Sequence, residues 1–154
     1  MVNDSIKAKG TLTLVLTDQN GNIKQQDETN LVVTAGLAYI ASRMKDATAT
    51  VMTHMGVGSG GATAAATAQT ALTTPLGARV VLDSTTIVTT TLAGDSIQYV
   101  ATFGPNVPAA TAAISEAGIF NALTSGTMLC RTVFPVINKE ALDTLVITWK
   151  VTIA

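Results

Sequence analysis

A mainly β fold, an antiparallel β-sandwich or flattened barrel with one short α-helix at about residues 34–45, is what the sequence predicts. Three observations point to it. Leu145, Ile147, Trp149, Val151 and Ile153 alternate with Val146, Thr148, Lys150 and Thr152, the period of a strand with one apolar face. Turn-forming residues such as Asn20-Gly21, Ala93-Gly94-Asp95 and Ser125-Gly126 punctuate the apolar runs. Helical spacing occurs in one clear place, at Leu37, Ile40, Ala41 and Met44.

Taken in order, residues 1–8 are expected to form a flexible N-terminal arm to a single domain spanning 1–154. Thr11 to Thr17 then place Leu12, Leu14 and Leu16 on one face of a half-buried strand. The Asn20-Gly21 turn leads into a return strand from Ile23 to Asn30, polar enough for a sheet edge. The helix begins with Thr34 as its N-cap and ends near Arg43 and Lys45, whose charges suit the dipole. Val51 to Gly58 reads as a strand, and a short helical turn is expected within Ala64 to Leu72.

A further β region starts at Arg79, continues through Ile87 to Leu92, and turns back along Ile97, Tyr99, Ala101 and Phe103, which share a face. Pro105 and Pro108 end that strand. Ala109 to Ala113 form a linker into a hairpin, Ile114–Asn121 and Thr127–Phe134, in which Asn121 faces Thr127, Ile119 faces Leu129 and Ala117 faces Arg131. Pro135 then opens a short link through Ile137 to a polar corner at Asn138-Lys139-Glu140, and the last strand runs through the middle of a sheet. Trp149, Ile147, Phe120, Phe103 and Leu14 are the expected core anchors.

The hairpin carries the one expected ion pair, Glu116 with Arg131. Alternation puts Glu116 on the same face as Ile114 and Phe120, so it is either buried and paired or re-aimed by a bulge at Gly118. A structural pair is favoured over a general acid or base, because no second titratable group lies nearby in sequence.

Composition bounds the function. Charged residues are 12% of the 154, about half the usual share, and a surface so poor in charge is expected to be covered by partners. A net charge of −1 without any cluster of Lys or Arg gives no footprint for nucleic acid. The opening Met1-Val2-Asn3-Asp4 does not read as a secretory leader, so none is expected, and no apolar run reaches the length of a membrane-spanning helix. Cys130, the one cysteine, reads as a small buried hydrophobe, and His54, the one histidine, as a structural side chain with one hydrogen-bond partner.

No catalytic, cofactor or metal site is predicted, since these residues form no triad, dyad or ligand set by spacing. Gly56 to Gly61 contains no Gly-Lys-Ser/Thr and has no Asp at dinucleotide distance, which excludes phosphate-loop readings. From Ala47 to Ala78 there is no Asp, Glu, Lys or Arg. Within that stretch Gly58, Ser59, Gly60, Gly61, Ala62 and Thr63 form the candidate interface loop. A receptor or carbohydrate-binding module would carry aromatic residues at loop tips, whereas Trp149, Tyr39 and Tyr99 fall inside periodic segments.

Ile114-Ser115-Glu116-Ala117-Gly118-Ile119-Phe120-Asn121, Gly126-Thr127-Met128-Leu129-Cys130-Arg131 and Leu145-Val146-Ile147-Thr148-Trp149 together resemble small structural proteins of tailed bacteriophages. Asn30 to Gly36 and Met55 to Gly60 agree with that resemblance, which runs over most of the chain from about Lys9. It implies a non-enzymatic virion protein, made in the host cytoplasm, with no catalytic residues to transfer. A capsid decoration or cement protein is the leading expectation, with the major capsid protein or other virion proteins as partners and a homo-oligomer, dimer or trimer, as its state. A tail, collar or fibre adaptor is the alternative.

Overall fold

The computed structural model describes residues 5–153; half of the expected N-terminal arm, residues 1–4, lies outside them, and Ala8 already belongs to a strand. Nine strands and one helix follow in the order β1 (Ala8–Thr17), β2 (Ile23–Val32), α1 (Thr34–Lys45), β3 (His54–Gly58), β4 (Pro75–Val81), β5 (Ser84–Val88), β6 (Ser96–Phe103), β7 (Ala112–Phe120), β8 (Met128–Lys139) and β9 (Thr144–Ile153). All pairings are antiparallel, in the order β4-β3-β7-β8-β2-β1-β9-β6-β5, and the sheet curls into a half-barrel. The mainly β expectation with a helix at 34–45 holds.

Two places let one continuous sheet enclose a core. Strand β2 pairs with β1 along Ile23–Asn30, then transfers to β8 through Leu31 and Val32. The outermost strands, β4 and β5, are consecutive in the chain and joined by Leu82 and Asp83 alone. The Leu82 N–H donates to the Thr53 carbonyl on one side, and the Asp83 N–H to Val100 on the other. Strands that change partners in this way make the corners of folded-over sheets. In the strand order β2 lies between β8 and β1, but Ile23–Asn30 pairs with β1 alone, so this polar stretch is an edge as expected, and the corner is at Leu31 and Val32.

The core fills the space between the two halves. Leu12 and Leu14 of β1, Phe103 of β6 and Leu145, Ile147 and Trp149 of β9 meet Met55, Ile119 and Cys130 from β3, β7 and β8. Strand β9 lies between β1 and β6, with Trp149 opposite Leu12 and Tyr99, as its long apolar period predicts. Four core anchors belong to this cluster; Phe120 is also buried, but in a second, smaller cluster with Val33, Leu72 and Met128.

Several local expectations are corrected. Thr34 is not the N-cap: Val33 holds that position without a side-chain bond, and the Thr34 N–H donates to the carbonyl of Thr67. Ala64 to Leu72 contains turns and bends but no helix, β5 stops at Val88, β4 already begins at Pro75, and β7 starts at Ala112 inside the expected linker. Residues 51–53 are irregular, so β3 begins at His54. After Val88 the chain turns around Asp95, whose carboxylate accepts the N–H groups of Thr90, Thr91 and Leu92.

Strand β8 runs through Pro135 instead of ending there. Its register against β7 jumps between Ile114↔Ile137 and Glu116↔Val133, so the proline sits in a bulge where its missing N–H costs no ladder bond. A second irregularity separates Ile119↔Cys130 from Phe120↔Met128. Ile119 therefore faces Cys130 and not Leu129, and Arg131 faces Gly118 and not Ala117; Asn121 and Thr127 do meet, through the Asn121 N–H and the Thr127 carbonyl at 3.2 Å.

Helix α1 begins hard against β8. Gly36 is buried, and a Cβ there would collide with the Leu129 backbone carbonyl, so only glycine permits this approach. Gly36→Ala is expected to cost about 1–3 kcal/mol by displacing the helix, read as a lower urea midpoint. Gly104→Ala, where the added methyl meets nothing within 4 Å, should stay within about 0.5 kcal/mol of the parent.

Candidate functional site

Strand β7 is buried on both faces, which a single sheet cannot achieve without a cover. Ala117 and Ile119 join the main core, while Glu116, Gly118 and Phe120 look outward beneath residues 59–74, which fold back over the sheet as a flap. The bulge at Ser115 explains the arrangement. It separates Ile114, in the main core, from Glu116, so the two no longer share a face as strict alternation requires. Gly118 is not the bulged residue; it pairs in register with Gly56 and Arg131, and lacks a side chain because Leu72 and the Phe120 ring crowd it.

Glu116 and Arg131 are fully buried and paired, with Nη2 at 2.7 Å from Oε2 and Nε donating to Oε2 at 2.8 Å. The remaining capacity of both side chains goes to the flap. Oε1 accepts the N–H groups of Gly60 at 3.1 Å and Thr74 at 2.7 Å, and Oε2 accepts that of Thr73 at 3.0 Å. The guanidinium donates to the carbonyls of Gly60 and Thr63, to the Gln69 side-chain oxygen and to the Thr73 hydroxyl. Both charges are satisfied within the protein, the condition under which burying them is tolerable.

Desolvation is the largest single influence on the Glu116 carboxyl and acts to raise its pKa. The N–H groups of Thr74 and Thr73 and the Arg131 guanidinium together outweigh it and hold the carboxyl below its ordinary value. It therefore stays ionised at neutral pH and has no proton to give.

The expected interface loop is packed, not free. Gly58 and Gly60 are buried because the Glu116 carboxylate occupies the space a Cβ would need, and the Gly61 N–H donates to the Ser115 hydroxyl at 3.0 Å. Of its residues Ser59, Ala62 and Thr63 are exposed. Sequence reasoning found the charged pair but missed Gln69, Thr73 and Thr74, which complete its coordination; the absence of local charge around them left only small polar residues as a signal.

His54 and Cys130 do not converge on this centre. His54 has Nδ1 at 2.8 Å from the Thr53 hydroxyl, its one hydrogen-bond partner. Cys130 is buried in the main core, where desolvation pushes its thiol up, away from reactivity. Among the described residues no group of three His, Cys, Asp or Glu is placed to hold a metal, and no helix is long and apolar enough to cross a membrane. On the outer surface Arg79 stacks on Phe120, 3.4 Å from the ring centroid, and donates to the carbonyls of Ala122 and Ser125, pinning the β7–β8 turn. Comparison with protein-family models, with curated proteins and with solved structures finds no match.

Glu116→Ala should destabilise by about 3–5 kcal/mol, because it leaves a buried guanidinium unpaired, and protease should then cut first within residues 59–74. Replacing both partners by apolar residues, Glu116→Leu with Arg131→Met, is not expected to restore stability, since the N–H groups of Thr73 and Thr74 and the carbonyl of Thr63 lose their partners. Urea midpoints of the three proteins check both outcomes.

The lowered Glu116 pKa gives a signed pH dependence. The unfolded carboxyl takes up a proton near pH 4.3, before the folded one does, so the pair's stabilisation is present above about that value and is lost as pH falls through the lower folded pKa. Melting temperatures from pH 7 down to pH 2 should show a drop at the acid end. Glu116→Gln should flatten its share of that drop.

Proposed function

We propose that the protein is a non-enzymatic virion structural protein of a tailed bacteriophage: a capsid decoration protein that binds the outer shell as a small homo-oligomer and strengthens it. The observation that carries the reading is the outer surface. Ile23 is 66%, Val81 67%, Leu92 69% and Ile87 73% exposed, on a chain with only 12% charged residues. Large apolar side chains bare to water, with few charges between them, fit a surface that is covered in use.

The interior supports the same reading from the other side. The buried ion pair found among the described residues is spent on holding the flap, and the His54 and Cys130 side chains are engaged locally or buried. Together with the resemblance of the β7–β8 hairpin to phage structural proteins, this favours contact over turnover. The partner in this reading is the major capsid protein, and neither nucleic acid nor a membrane is required.

Shells of the phage prepared with and without the protein, heated side by side, test the proposal. Shells that carry it should rupture several degrees higher. Equal rupture temperatures, or images of intact particles that put the chain on the tail, overturn the shell assignment in favour of an adaptor role.

A further inference from the structure

Helix α1 packs on β8, and between it and residues of β6 and β9 lies a cavity of about 420 Å³. Ile40 of the helix, Ile97 of β6 and Val151 of β9 give it apolar walls. That volume and lining are those of a site for a small organic molecule.

Four polar side chains also line it: Tyr39, Arg43, Thr85 and Tyr99. Among the described residues neither phenol hydroxyl makes a hydrogen bond, although Tyr99 is only 7% exposed. Arg43, an exposed residue at the mouth of the cavity, donates through Nη1 to the carbonyls of Ala47 at 3.3 Å and Ala49 at 2.8 Å, which restrains the guanidinium there and leaves Nε and Nη2 without an acceptor among those residues. The nearby Asp46 carboxylate is engaged by Lys45 and Thr48 and forms no ion pair with Arg43. A held cation with spare donors beside an apolar hollow is complementary to an anion attached to an apolar body.

We propose that this cavity binds a small amphipathic monocarboxylate, with its apolar chain under α1 and its carboxylate on Arg43, assisted by the Tyr39 and Tyr99 hydroxyls. The site lies apart from the buried ion pair and does not depend on where the protein sits in a particle.

Isothermal titration of the full chain with decanoate, below its micelle threshold, tests the site. One saturable site is expected, weakening about tenfold for octanoate through loss of two buried methylenes. Arg43→Gln should weaken decanoate about tenfold and leave decanol unchanged; Ile97→Trp, which fills the hollow, should abolish both. Circular dichroism checks that the variants fold. Should Ile97→Trp fail to fold, ring-labelled tyrosine spectra of the parent replace it, with decanoate expected to shift Tyr39 and Tyr99. No saturable binding, binding indifferent to the filling residue, unmoved tyrosine signals, or equal losses for decanoate and decanol in Arg43→Gln would each overturn the proposal.

Discussion

The Glu116–Arg131 pair is the constraint on which the rest of the structure depends. A segment as neutral and as rich in alanine and threonine as residues 59–74 has little large apolar surface with which to hold itself on a sheet, and its backbone groups would prefer water. Two opposite charges beneath it change that balance. They accept N–H groups from Gly60, Thr73 and Thr74 and donate to the Gly60 and Thr63 carbonyls, so each end of the flap is bound by ionised partners, which make stronger hydrogen bonds than neutral ones. The covering layer is thus fastened mainly through its main chain.

This fastening requires Glu116 to leave the core face. The bulge at Ser115 supplies the change of parity: the register shifts there by two residues, with Phe134, Pro135 and Val136 opposite Ser115, and Ile114 faces inward and Glu116 outward on the same strand. Pro135 lies on the bulged stretch of β8, where a proline is tolerated. The same region of the sheet therefore breaks the ladder locally, redirects a carboxylate and accommodates a residue that would disrupt a regular central strand.

Regular periods were readable from the residues. Strand β9, the Leu12–Leu14–Leu16 face of β1 and the Tyr99–Ala101–Phe103 face of β6 emerge as written because their partners preserve period two across the core. The charged pair was also legible, since Glu116 and Arg131 are ionisable residues inside apolar runs. Its coordination was not. Gln69, Thr73 and Thr74 lie more than forty residues from Glu116 in the chain, and nothing local distinguishes them from an ordinary loop. Register failed for a related reason: a bulge changes which residues face one another while leaving composition untouched, so Ile119 opposite Leu129 and Ile119 opposite Cys130 are equally plausible from sequence. Thr34 illustrates a third limit. Its residue type suits capping, but tertiary contacts to Leu129 and Thr67 fix the helix start one residue earlier.

The two-residue junction between β4 and β5 has a bearing on how copies of this chain can meet. With the outermost strands joined in sequence, the two ends of the sheet offer the far sides of a seven-residue and a five-residue strand, Pro75 heading the longer of them, and Ile23–Asn30 of β2, paired with β1 alone, carries mainly polar side chains. Association by runaway strand addition has little to build upon. A contact between copies would fall to side-chain surfaces, whose fit depends on which residues meet and not on a shared ladder of main-chain bonds.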